Sequence, residues 1–113
     1  MIKVKIKQNS QKDVISFEMV GHADSGPYGQ DIVCAAASVL AINTVNSVEQ
    51  IAQMKPQIEE DEENGGLLKA QFPVASNHEQ YLQVQAILKS FVIGMRDISQ
   101  NYSQFIHVNI SSL

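Results

Sequence analysis

The spacing of apolar residues along this chain switches repeatedly between two periods, and those switches restrict its fold more than any other feature. Ile2, Val4 and Ile6 alternate with Lys3, Lys5 and Lys7, the period of two that a half-buried strand requires. Asn9-Ser10-Gln11-Lys12-Asp13 supplies a polar turn, and Val14 to Val20 reads as the hairpin partner. From Asp31 to about Met54 the pattern is helical, and Lys55-Pro56 ends it. Ile32 to Ile42 is apolar or small nearly all round, which predicts a central buried helix rather than a surface one. Residues 57–63 and 67–72 read as two strands joined through Asn64-Gly65-Gly66, a strong turn signal.

A second helix is expected from Ser76, where Ser76-Asn77-His78-Glu79 fits a capping box. Tyr81, Val84, Leu88, Phe91, Met95 and Ile98 recur every three or four residues and form one stripe, read as core or as core continued across a dimer interface. Gln104 to Ile110 is the final strand. The order is therefore ββαββαβ, an α+β fold with two helices packed on one mixed β-sheet. With no linker, repeat or low-complexity segment, residues 1–113 form a single domain.

Composition limits the function classes. Hydrophobic residues make up 44% and charged residues 18%, as in a globular chain rather than a disordered one. A formal net charge of −4 argues against nonspecific nucleic-acid binding and favours a basic protein or peptide partner. The alternating start is a strand pattern rather than a signal peptide, and no apolar run reaches the length of a membrane span. The single cysteine, Cys34, forms no internal disulfide and builds no multi-thiolate metal site. A lone thiol suits a reducing compartment, so a cytoplasmic location is expected.

His78 and His107 are scattered and make no zinc site, so no metal is expected. Gly26, Gly29 and Gly65-Gly66 lack the lysine and the strand–loop–helix setting of a phosphate loop, and no cofactor is expected either. The acidic run Glu59-Glu60-Asp61-Glu62-Glu63 reads in two ways: as an attractor for a lysine- and arginine-rich substrate, or as a solvated hairpin end.

The chemistry centres on Cys34. If Asp31 caps the first helix, Cys34 lies in the first turn, where unpaired N–H groups and the macrodipole favour a thiolate. Asp31, Cys34 and Ser38 stand at i, i+3 and i+7, on one face, and are the only polar residues between Asp31 and Ile42. His22 ends the second strand, and the glycine-rich segment from Gly21 to Gln30 links it to the helix. A thiol, an imidazole and a connecting loop suit acyl transfer. Spacing alone leaves three readings of Cys34: a nucleophile, a small buried hydrophobe in a noncatalytic binding module, or a peroxide-sensing thiol. Asp31 is either a helix cap or an orienter of His22. Ser38 bonds either the substrate or loop, or a helix carbonyl behind it.

Taken together, Gly21-His22-Ala23, Gly26, Gly29, then Asp31-Ile32-Val33-Cys34-Ala35-Ala36 with Ser38, closely resemble the ribosomal-processing cysteine protease (Prp) family. Asn64-Gly65-Gly66, the length and the element order resemble it too, so the likeness covers essentially the whole chain. The resemblance implies a bacterial cysteine endopeptidase with His22 and Cys34 as its catalytic pair. It implies removal of the N-terminal extension of large-subunit ribosomal protein twenty-seven, cut after a phenylalanine and just before a basic mature N-terminus. It also implies a homodimer and a mobile substrate-covering loop containing Gly26 and Gly29.

Overall fold

A computed structural model describes residues 1–22, 29–63 and 65–112. Seven elements follow in order: β1 (Ile2–Gln8), β2 (Val14–Val20), α1 (Gln30–Ile51), β3 (Gln57–Asp61), β4 (Leu67–Gln71), α2 (His78–Asn101) and β5 (Ile106–Ser112). The five strands form one mixed sheet ordered β3-β4-β2-β1-β5. β1 pairs antiparallel with β2 and parallel with β5, while β4 pairs antiparallel with both β2 and β3. The α+β arrangement and ββαββαβ order expected from the sequence are those observed.

The alternation in β1 sets the orientation of the sheet. Ile2, Val4 and Ile6 are buried, and Lys3, Lys5 and Lys7 face solvent. Register carries the same division across the sheet: Ile6 lies opposite Phe17 and Val4 opposite Met19, while Lys5 lies opposite Glu18 and Glu18 opposite Lys69. The helices cover the apolar face. Val84, Leu88, Phe91, Val92 and Met95 of α2 are buried there, with Tyr81 and Ile98 half-buried at the ends of the stripe. The Phe91 ring lies 4.4 Å, centroid to centroid, from that of Phe17. α1 and α2 approach closely at Gly94, where a Cβ would stand 2.7 Å from Leu40 Cδ2.

α1 departs from the sequence expectation in three respects. It is not buried all round: Val33, Cys34, Ala37, Ala41, Val45 and Val48 face the core, but Ile32 is 63% and Val39 67% exposed, and Ile42 is exposed as well. Only one side of a helix can meet the sheet and its neighbour, however apolar the other side is. By length and composition alone the 22-residue helix also meets the requirement for crossing a membrane, contrary to the sequence reading. Here its inner side forms the core of the domain. Finally, α1 ends at Ile51 rather than Met54, because Gln53 turns left-handed (φ 55) and the Met54 amide closes onto the Val48 carbonyl at 3.3 Å.

The second helix starts later than the Ser76 capping box suggests. Asn77 is its N-cap and accepts the Gln80 amide on its side chain at 2.9 Å. The Gln80 side chain in turn accepts the Ser76 amide and donates to the Ala52 carbonyl, tying the start of α2 to the end of α1.

Candidate active site

Two glycines fix the ends of the segment that joins β2 to α1. Gly21 follows β2 with φ 86, and its amide donates to the Gly66 carbonyl at 3.0 Å, beside β4. A Cβ at Gly21 would lie 2.6 Å from the Met1 carbonyl oxygen, so only glycine fits there. Gly29, at φ 97, is the N-cap of α1, and a Cβ on it would lie 3.3 Å from the Phe105 ring. The Ile2 amide donates to the Phe105 carbonyl at 2.9 Å, so Met1, Ile2 and Phe105 form one floor at this end of the sheet. Both ends of the segment rest on it. This floor brings His22, at the close of β2, to the same end of the molecule as the first turns of α1.

His22 is half-buried, and its Nδ1 is buried with no hydrogen-bond partner among the described residues. Cys34 is 8% exposed, on the core side of α1. Asp31 and Ser38 share its helix face; Asp31 is exposed and Ser38 half-buried. Ala23 and Gly26 lie outside the described residues, as does Asn64 of the second hairpin.

The capping role for Asp31 is corrected. α1 begins at Gln30, its N-cap is Gly29, and no side chain caps it. The left-handed glycine turns the chain into the helix without a side-chain acceptor, which leaves Asp31 as the second helical residue. Its carboxylate there complements the positive end of the macrodipole, and it does not bond Nδ1 of His22. Cys34 is accordingly the fifth residue of α1, two residues further in than a cap at Asp31 would place it. Helical side chains lean toward the N-terminus, so its sulfur still points back over the first turn. The back-bond onto a helix carbonyl considered for Ser38 is made instead by Thr44, whose Oγ1 donates to the Leu40 carbonyl at 2.7 Å.

Gln30 escaped the sequence reading, which placed it in the loop. It is the first residue of α1 and is 6% exposed. The other two histidines stand elsewhere: His78 is exposed and stacks on Tyr81, with ring centroids 5.9 Å apart, and His107 is exposed on β5.

A thiol on the inner side of a helix start, with an imidazole delivered to the same end of the sheet, is the equipment of a cysteine peptidase. The sequence matches the family model for cysteine protease Prp over residues 1–107. A ribosomal processing cysteine protease Prp of Staphylococcus aureus is 35% identical over 109 residues, covering 96% of this chain and 98% of the relative. A crystal structure of an essential ribosomal processing protease Prp from S. aureus with a substrate peptide superposes with a TM-score of 0.85 at 32% identity. A second, with a covalently linked product peptide, superposes at 0.81 and 32% identity. In both, the match covers 97% of this chain and 99% of the other. The chain belongs to the Prp family of cysteine proteases, and it is a cysteine-type peptidase of the ribosomal-processing kind.

Proposed function

We propose that Cys34 and His22 are the catalytic pair of an endopeptidase that removes the N-terminal extension of large-subunit ribosomal protein twenty-seven, cutting after phenylalanine. One observation carries the assignment of the nucleophile: a cysteine protease must supply a cysteine, and this chain has one. The covalently linked product peptide of the S. aureus relative fits a mechanism through a thioester.

The Cys34 thiolate attacks the scissile carbonyl, and His22 holds the thiol proton. His22 then protonates the leaving amine and later takes a proton from the water that hydrolyses the thioester. The first three N–H groups of α1 have no partner within the helix, which suits them to serve as oxyanion donors. Asp31 and Ser38 support the site from the same helix face, and Gly26 and Gly29 belong to the segment that covers the substrate. The net charge of −4 suits a substrate with a basic mature N-terminus. The exposed Ile32, Val39 and Ile42 of α1 form an apolar outer stripe that suits a homodimer. Maturation of a ribosomal protein places the enzyme in the bacterial cytoplasm.

The test is incubation with a precursor peptide spanning the extension junction, with mass spectrometry locating the cut. Cleavage after phenylalanine is expected from the wild-type protein and none from Cys34→Ala or His22→Ala, whose melting temperatures stay close to wild type. Full cleavage by either variant ends the assignment of the pair. Peroxide-dependent oxidation of Cys34 without any peptide cleavage would favour a redox sensor instead.

A further inference from the structure

We propose that a cavity at the end of the domain away from His22 binds one basic side chain, lysine or arginine, of a peptide. The cavity has a volume of about 270 Å³ and lies where β2 begins, beside the first turns of α2. Val14 opens β2 and His22 follows its end, so the strand, about 20 Å long, separates the two places. The inference stands whether or not His22 and Cys34 are the catalytic pair.

Asp13 lines this cavity and is only 6% exposed. The turn before it is pinned, since Asn9 Oδ1 accepts the Gln11 and Asp13 amides and the Asn9 amide donates to the Asp13 carbonyl. Asp13 Oδ1 accepts the Tyr81 hydroxyl at 2.7 Å, whereas Oδ2 has no partner among the described residues and is not sealed from solvent. Among the described residues, no lysine, arginine or histidine lines the cavity. A carboxylate set this deeply is ordinarily paired with a cation, and here a ligand must supply it.

The remaining walls decide what carries that cation. Val14, Met54, Phe72 and Val84 are apolar, a lining that suits the methylene stem of a long basic side chain and not a metal ion, which needs several oxygen ligands. The Gln85 carboxamide is already spent on the Val14 amide and carbonyl. The volume falls just below the range of about 300–1,000 Å³ that holds drug-sized ligands, so it fits one side chain rather than a cofactor. Val74, 96% exposed at the rim, offers an apolar contact to the peptide residue beside the cation. A net charge of −4 draws a basic peptide towards the domain.

The probe is the tripeptide valyl-arginyl-valine, capped at both ends, titrated into the nitrogen-15-labelled protein and followed by amide chemical shifts. Shifts are expected at Asp13, Val14, Phe72, Val74 and Tyr81. The same peptide with citrulline, the neutral isostere of arginine, should bind about 10–100-fold more weakly, and Asp13→Asn should weaken the arginine peptide by a similar factor. Asparagine can still accept the Tyr81 hydroxyl; should the variant fold poorly, the citrulline comparison on the wild-type protein decides alone. Citrulline binding within about threefold of arginine overturns the proposal, as do shifts centred on His22 and Cys34 or no shifts up to about 10 mM peptide. Propylguanidine binding as tightly as the peptide would assign the cavity to a small free cation and overturn the peptide as its occupant. No cleavage is read in any arm, so failure here leaves the proposed peptidase function untouched, and failure of that function leaves this site standing.

Discussion

Replacing Gly21 by alanine tests whether the floor beneath the site holds His22 in place. Two costs follow from the structure. At φ 86 the backbone is left-handed, which costs an L-residue with a Cβ about 1–2 kcal/mol. The new methyl would also stand 2.6 Å from the Met1 carbonyl oxygen, inside any ordinary Cβ contact, and relief of such overpacking costs about 1–3 kcal/mol. The obstacle is backbone rather than a flexible side-chain end. Relief must therefore lift the start of β1, whose Ile2 amide is bonded to Phe105, or displace Gly21 from its bond to Gly66. The expected destabilisation is about 2–5 kcal/mol, or a fall in melting temperature of about 8–20 °C for a domain of this size. Thermal unfolding measures that fall, and peptide cleavage at a temperature where the variant is still folded measures the displacement of His22, expected as a drop in kcat. A destabilisation below about 1 kcal/mol with full activity would refute both the steric account and the floor's role in placing the imidazole.

Two further outcomes are expected. Asp31→Asn should lower kcat about tenfold or more while the melting temperature moves by about 4 °C at most, since the macrodipole alone is worth under about 1 kcal/mol at an exposed position. Unchanged kcat with that small thermal loss would reduce Asp31 to a helix-start charge. Tyr81 donates to Asp13 Oδ1 at 2.7 Å, and that hydrogen bond, helped by burial and the carboxylate's charge, raises the phenol above its usual pKa of 10.0. The native state therefore holds this proton more tightly than the unfolded chain, so the added stability is complete below about pH 10 and is lost as pH rises through the folded-state pKa. The melting temperature of wild type should exceed that of Tyr81→Phe at neutral pH and converge on it in alkali, and a gap that stays constant above about pH 10 would contradict the assignment.

Strands and helix stripes were legible where one face is wet and the other dry. Val14–Val20 was bounded correctly, and Ile2, Val4 and Ile6 point inward as their alternation required. The outer side of α1 was misread because Ile32, Val39 and Ile42 are apolar without being buried, and periodicity cannot tell a core face from an uncovered one. The start of α1 was placed one residue late because a left-handed glycine, not an acidic side chain, makes the turn into it. Asn77 replaced Ser76 as the cap of α2 because both are good acceptors and only the position of Gln80 decides between them. At the site, the motifs around His22 and Cys34 made the family legible, and the family model matches residues 1–107.

The pairing of β1 with β5 joins the first of the seven elements to the last, with Ile2 opposite Ile106. No contiguous fragment that omits either strand can assemble the catalytic end, because Met1 and Ile2 come from one and Phe105 leads into the other. The support at this end of the sheet is therefore complete only when the most sequence-distant contacts of the domain have closed. An incompletely folded chain, whatever helices it has already made, lacks the support that sets the ends of the segment joining β2 to α1.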